Sequence, residues 1–402
     1  MTATTLSKET LQSVLEGGRS GERELVAFRR ELHAKPELSL QESETAARVA
    51  EELKKLGLEV RTGVGAHGIV ADLVGPVAGR TVALRADMDA LPIEEETGLE
   101  FASQRPGVMH ACGHDAHTAM LLGAARLLVQ QKDKLRGRVR FLFQSAEEIN
   151  QGAKLMIEQG ALDGVDEIYG LHNLPTLAAG KVATRYGSLM GSVDRIEIKL
   201  QGRGGHGAMP DQTIDPVVAG SAIVMGLQTA VSREVSPFAP VVVTIGKIHA
   251  GDSYNVIPHR AEMVGTIRTF SPDVQKTMRE RIERLVCTIA EAYRCKAELT
   301  YTELSPVLVN HDANVAYVEQ VTDAMIGREL RVEAAPTLGG EDFALYLQQV
   351  PGCFFWLGAG PQEGAENAFG LHHPKFTLNE ECLPLGASML AAVAMSRLSD
   401  AQ

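Results

Sequence analysis

Five potential metal ligands lie on four segments of this 402-residue chain. They are Cys112 and His114 in His110-Ala111-Cys112-Gly113-His114-Asp115-Ala116-His117, Glu148 in Ser145-Ala146-Glu147-Glu148, His172 in Gly170-Leu171-His172-Asn173, and His372 in Gly370-Leu371-His372-His373-Pro374. Thiolate, imidazole and carboxylate together suit zinc or a similar first-row divalent ion and exclude magnesium and calcium as natural guests. The set exceeds what one open catalytic ion needs, so two ions sharing a bridging ligand are favoured. Such a pair lowers the pKa of bound water and clamps both oxygens of a tetrahedral intermediate, which is hydrolytic chemistry. Adjacent Glu147 and Glu148 point different ways, so one can bind metal while the other serves as general base, kept ionised by the cations.

Taken singly, each residue has an ordinary explanation. Paired glutamates are usually solvated, a Cys-x-His followed by His117 can be helix-start polarity, and single histidines are usually hydrogen-bonded. Placement joins them. Thr81–Arg85 leads into Asp87-Met88-Asp89, Val139–Phe143 into Glu147-Glu148, and Glu167–Gly170 into His172. Three apolar runs that read as strands each deliver polar side chains to the edge where an open α/β sheet binds ligands.

The elements around these runs alternate. Residues 22–34 and 41–56 have helical periodicity, 58–61 and 69–73 read as strands, a helix over 116–131 has Asp115 as a plausible cap, and a helix over 152–159 follows the strand at 139–143. From 190 to 303 the order becomes βαββαβ, with strands at 193–200, 240–248, 261–270 and 296–303 and helices at 216–232 and 272–294; this is a ferredoxin-like arrangement. Helix and strand alternation then returns, with a helix near 312–327, the segment 337–347, a strand at 353–357 and a helix at 383–398. The reading is an α/β catalytic domain with a central mixed sheet between helices, formed by 1–189 and 304–402. Residues 190–303 are read as an inserted α+β domain.

Net charge −12, 45% hydrophobic and 22% charged residues describe a globular chain with no electrostatic footprint for nucleic acid or an anionic membrane. The N-terminal stretch lacks a signal-peptide pattern and no apolar run approaches membrane-spanning length. Five cysteines without framework spacing predict free thiols and a cytoplasmic setting. Gly63-Val64-Gly65-Ala66-His67-Gly68 has a dinucleotide-like spacing, but it runs from strand into strand and so lacks the helix N-terminus that holds phosphate. In the insert, Gly202–Pro210 is a glycine-rich loop carrying His206, either a simple turn or a mobile histidine able to reach an oxyanion.

Several longer motifs resemble one family. They are Arg85-Ala86-Asp87-Met88-Asp89-Ala90-Leu91-Pro92, Met109–Asp115, Gln144–Glu148, Gly205-His206-Gly207-Ala208-Met209-Pro210 and Gly339-Gly340-Glu341-Asp342-Phe343, with Phe28–His33 and Pro36-Glu37-Leu38-Ser39 upstream. Over nearly its whole length the chain is similar to the metal-dependent aminoacylase and carboxypeptidase superfamily, in the amidohydrolase branch that includes hippurate and auxin-conjugate hydrolases. The resemblance implies a zinc-peptidase-like fold whose insert is a lid and dimerisation domain. It implies two divalent ions, zinc or manganese with cobalt or nickel as substitutes, held by Cys112, His114, Glu148, His172 and His372. It places Glu147 as general base, Asp89 among the catalytic residues, and His206 on the scissile carbonyl, in related enzymes from the partner subunit. Asn255, Arg268 and Gly339 are implied to contact substrate. The implied substrate is an N-acyl amino acid, with a dipeptidase or carboxypeptidase as the near alternative and a non-catalytic metal-binding scaffold as the distant one. The implied assembly is a homodimer or a larger homo-oligomer. In one respect the chain departs from the wider superfamily: Asp87 stands where many members have histidine, and Cys112 enters the metal set.

Overall fold

Apolar runs and amphipathic stretches form the elements of the computed structural model, in which residues 6–361 and 369–399 are described. One unit takes the chain up to Gly187, Val309–Ala335 and the stretch from Asp342 onward; the other takes Ser188–Leu308 and Pro336–Glu341. The first begins with helices α1 (Lys8–Ser20), α2 (Glu22–His33) and α3 (Ser43–Lys55) and strands β1 (Glu59–Thr62), β2 (Ile69–Val74) and β3 (Val77–Asp87). It continues through α4 (His114–Gln130), β4 (Arg136–Gln144), α5 (Gly152–Glu158), β5 (Glu167–Ala178) and β6 (Val182–Thr184). The second unit contains β7 (Val193–Gln201), α6 (Pro216–Ser232), β8 (Val241–His249), β9 (Arg260–Thr269), α7 (Pro272–Ala292) and β10 (Lys296–Ser305). The first unit then resumes with α8 (Asp312–Ile326), β11 (Arg331–Glu333), α9 (Phe343–Leu347), β12 (Gly352–Gly360) and α10 (Cys382–Leu398).

Strands of the first unit make an eight-stranded mixed sheet in the order β1-β2-β4-β3-β5-β12-β6-β11. Its centre, β4-β3-β5-β12, is parallel. β2 joins β1 and β4 antiparallel, so the glycine-rich 63–68 segment connects two strands, as its pattern implied. A central parallel strand is buried on both sides and needs no polar alternation; β12, Gly-Cys-Phe-Phe-Trp-Leu-Gly-Ala-Gly, is buried throughout. Successive residues meet different helices. Tyr169, Leu171, Cys353, Phe355 and Leu357 join residues of α4 and α10 in the large apolar core. The Phe354 ring lies 4.8 Å from Phe343 of α9, so helices cover both faces.

The second unit has an antiparallel sheet, β8-β9-β7-β10, in the ferredoxin-like βαββαβ order. Ile196, Ile198 and Leu200 alternate inward along β7 and pack with Ile223 and Leu227 of α6 and Met278, Ile282 and Val286 of α7. Both helices start on a side-chain cap followed by proline: Asp215 accepts the Val217 N–H and Ser271 the Val274 N–H. No helix among the described residues is long and apolar enough to cross a membrane.

Two local expectations change, and α1, which carries Gly17 and Gly18, was not anticipated. A Cβ on Gly18 would overlap Ser388 Oγ of α10, so these glycines permit close helix packing. Asp115 does not cap α4: the N-cap is Gly113, and the Asp115 carboxylate is buried against Arg29 (2.8 Å) and His33 (2.7 Å). β5 does not stop at Gly170 but runs to Ala178, because β12 pairs with it beyond the end of β3. His172 is therefore inside a strand rather than after one.

Candidate metal centre

Strand register brings the clusters together. Asp87 pairs with Gln144, Arg85 with Gly170, and His172 with Trp356. The parallel strands thus carry Asp89, Glu147-Glu148 and His172 to one end of the sheet. The turn into α4 adds Cys112 and His114. Gly113 between them has φ 90°, and a Cβ there would overlap Asn173 Nδ2, so glycine is required. Ala146 (φ 57°) and His372 (φ 64°) adopt the same left-handed conformation without being glycine. The His372 N–H donates to Ala111 O at 2.8 Å, tying the fourth segment to the first.

All five expected ligands converge. Cys112 Sγ is 3.3 Å from His172 Nε2, and Glu148 Oε1 is 3.8 Å from His114 Nε2 and 3.4 Å from His372 Nε2. Ligand atoms of Cys112, His114 and His172 fit within 4.8 Å of one another, and so do those of Cys112, Glu148 and His372. Two triads share the thiol. Glu147 joins a third group with His114 and Glu148. His114 Nε2 and Glu148 Oε1 are buried without a hydrogen-bond partner, and buried polar atoms are rarely left in that state. This donor set fits a pair of divalent ions.

The surroundings fix the orientation of each group. His172 Nδ1 donates to Asn173 O (2.8 Å), which leaves the Nε2 lone pair facing Cys112. His114 Nδ1 lies 3.2 Å from Asp89 Oδ1; the other Asp89 oxygen accepts from Ser39 Oγ (2.6 Å) and Glu148 N (3.0 Å). Asp87 accepts from His117 Nδ1 (2.6 Å) and Arg85 (2.7 Å), and Arg85 also reaches Asp342 (3.1 Å). His117 Nε2 accepts from Asn173 N (2.9 Å), and Asn173 Nδ2 donates to Cys112 O (2.7 Å).

Charge is unbalanced here. Burial, then the charges of Glu148, Glu147 and Asp87, push the Cys112 thiol well above its ordinary range. Burial alone would lower the His114 pKa, but Asp87, Asp89 and Glu148 outweigh it and raise it to about 10. Burial and the neighbouring His117 hold His172 well below its usual value, as a neutral imidazole. A divalent cation bound here would offset these carboxylates and stabilise the Cys112 thiolate.

Ser39, His117 and Asn173 had not been singled out as part of the site. A signal was present for the Arg85–Asp87 pair: two charged residues at i and i+2 on an apolar strand share one face, where they must be paired.

Four expected residues belong to the second unit. Gly205-His206 forms a short ladder with Val256-Ile257, Gly207 N donates to Asn255 O (2.8 Å), and the exposed His206 ring accepts from Ala208 N at Nδ1 (3.1 Å). Arg268 lies elsewhere. It is half-buried beside Gly340, next to Gly339, whose carbonyl accepts from Gly191 N (3.0 Å). Arg260 of β9 pairs with Gln201, toward the His206 loop, whereas Arg268 follows eight residues later at the far end of the strand. At about 3.3 Å per residue that is roughly 26 Å.

A mixed α/β unit with two candidate metal-ligand triads at its carboxyl edge, accompanied by a ferredoxin-like unit, fits the architecture of a metallohydrolase. The chain belongs to Peptidase family M20/M25/M40, which it matches over residues 83–396. It is 42% identical over 380 residues to N-acetyl-L-cysteine deacetylase of Bacillus subtilis (strain 168), covering 94% of this chain and 89% of that protein. It is 41% identical over 374 residues to IAA-amino acid hydrolase ILR1-like 4 of Arabidopsis thaliana, covering 92% and 84% respectively. The crystal structure of Bacillus subtilis YxeP, a dinuclear metal-binding peptidase from the M20 family, superposes with a TM-score of 0.81 at 39% identity, covering 94% of this chain and 98% of that one. The family resemblance read from the motifs holds: the chain is a metal-dependent amidohydrolase or peptidase of this family, with groups that could hold metal where the motifs pointed.

Proposed function

We propose that this enzyme hydrolyses the amide bond of N-acyl amino acids, releasing a carboxylate and a free amino acid. The observation that carries the reading is the convergence of two buried atoms without a hydrogen-bond partner, His114 Nε2 and Glu148 Oε1, with Cys112, His172 and His372. Those five residues would hold the two ions, zinc or manganese. When bound, the ions supply Lewis-acid activation of water and of the scissile carbonyl. Glu147, buried beside His114 and Glu148, takes the proton from the attacking water and returns it to the departing amine. Asp89 orients His114 and the Glu148 backbone through its two oxygens. The family resemblance supports Asn255, Arg268 and Gly339 as substrate contacts and His206 as the group that polarises the carbonyl. The N-acyl amino acid class is supported by the named activities of the deacetylase and auxin-conjugate hydrolase relatives.

A small substrate cannot span the strand length between Arg268 and the His206 loop of one chain. We therefore assign His206 and Asn255 to the site of a neighbouring copy in a homodimer, built through the inserted unit, proposed as residues 190–303. The test is a panel of N-acetyl, N-benzoyl and long-chain N-acyl amino acids beside dipeptides, assayed with zinc, manganese or cobalt restored to stripped protein. Turnover of N-acyl amino acids is expected; turnover of dipeptides alone overturns the substrate class. Glu147→Gln should lower kcat by about 10²–10⁴-fold with metal content unchanged, and near-normal turnover would remove Glu147 from the base role.

A further inference from the structure

Glu42 stands at the N-cap of α3, where a side chain ordinarily accepts the first free N–H groups of the helix. It makes no such bond. Glu37 does so instead, accepting from Glu44 N (3.1 Å) and Thr45 N (2.7 Å). Glu42 is fully buried, and its Oε1 accepts from Ala146 N at 2.8 Å, a partner 104 residues away. Its Oε2 is buried without a partner. A buried carboxyl group with one oxygen unpaired is costly, and this one caps none of the free N–H groups of its own helix.

What it holds is the residue before the Glu147-Glu148 pair. Ala146 has φ 57°, a left-handed conformation disfavoured for a residue with a Cβ. Its N–H is fixed by Glu42, and its carbonyl by Gly152 N (3.0 Å). The direction of the chain leaving Ala146 decides where the two glutamates point. The same upstream segment braces the neighbouring strand end: Ser39 Oγ donates to Asp89, and Glu37 O accepts from Ala90 N (2.8 Å).

We propose that Glu42 is a positioning residue, which locks the left-handed Ala146 turn so that Glu147 and Glu148 face the two-ion site. This rests on the metal reading above. Without Glu42 the turn relaxes, Glu148 loses alignment with His114 and His372, and Glu147 loses its place beside the attacking water.

The test compares Glu42→Ala, Glu42→Asp, whose carboxylate falls one methylene short, and Glu42→Gln, whose amide oxygen can still accept from Ala146. Zinc affinity is measured in chelator-buffered titrations through Trp356, the single tryptophan, whose ring lies 5.4 Å from His172. Metal content after dialysis, metal-free Tm and kcat at saturating zinc accompany it. Glu42→Asp and Glu42→Ala should bind zinc about 10–100-fold more weakly, the usual range for residues behind a ligand, and lower kcat with little change in KM. Glu42→Gln should stay within a few-fold of wild type in both. In the Glu147→Gln background the kcat effect of Glu42→Asp should largely vanish, because the group it aims is gone. If Glu42→Asp folds and holds zinc as tightly as wild type, or lowers Tm without moving affinity, Glu42 is a packing residue and the proposal fails. If wild type itself takes up no metal, the two-ion reading fails first. Should Glu42→Ala not fold, the contrast of Asp with Gln still decides.

Discussion

Cys112 is the residue whose chemistry would change most on metal binding in the proposed site. In the metal-free protein it is buried, and burial with three nearby carboxylates holds the thiol protonated. Alkylation proceeds through the thiolate. Chelated protein should therefore react slowly at Cys112 near neutrality and faster as pH rises. Metal-loaded protein should resist at every pH, as read by mass spectrometry of the Cys112 peptide. Cys287, which is exposed, should label in both states and serves as the control. Equal labelling of Cys112 with and without metal at alkaline pH would remove it from the ligand set. At this scale the candidate ligands were legible because their types are few and their motifs local. Ser39, Glu42 and His117 were not, because their partners Asp89, Ala146 and Asp87 lie 50, 104 and 30 residues away; no local pattern encodes a bond made only when strands align.

Elements act on the site through their ends, and α4 is the clearest case. Its N-cap Gly113 is left-handed and pressed against Asn173, so Gly113→Ala adds conformational strain and a steric overlap. The variant should be destabilised by about 2–4 kcal/mol, read as a lower Tm in the metal-free protein. Zinc affinity should weaken as well, because Cys112 and His114 flank the strained residue. An unchanged Tm would show that the turn yields without cost. Most helices and strands were legible from apolar runs and their period, as in α6 and α7. What was missed shares a physical origin: Gly17 and Gly18 serve helix packing in α1, and β5 extends because its neighbour β12 does. Both are decided by tertiary partners rather than by local propensity.

For the whole molecule, the separation of His206 from Arg268 along the second unit leads to a prediction about two chains. Mixing His206→Ala subunits with Glu147→Gln subunits, each nearly inactive, should restore activity once subunits exchange, since each heterodimer holds one site with both groups intact. No recovery despite demonstrated exchange would mean that His206 serves its own chain or no catalytic role. The change from alternating helix and strand to βαββαβ was legible in the sequence; the return of Pro336–Glu341 to the second unit was not, because it depends on backbone pairing of Thr337 and Gly339 with residues 189–191. One feature of the first unit bears on how the protein is made. α10, buried along nearly its whole length, packs on α1 and α4 and follows both in the chain by more than 250 residues. During synthesis the second unit, nearly continuous in sequence, can close while the apolar faces of α1 and α4 still await their covering helix. Those apolar faces therefore stay uncovered until residues 382–398 have left the ribosome, and the first unit completes its core last.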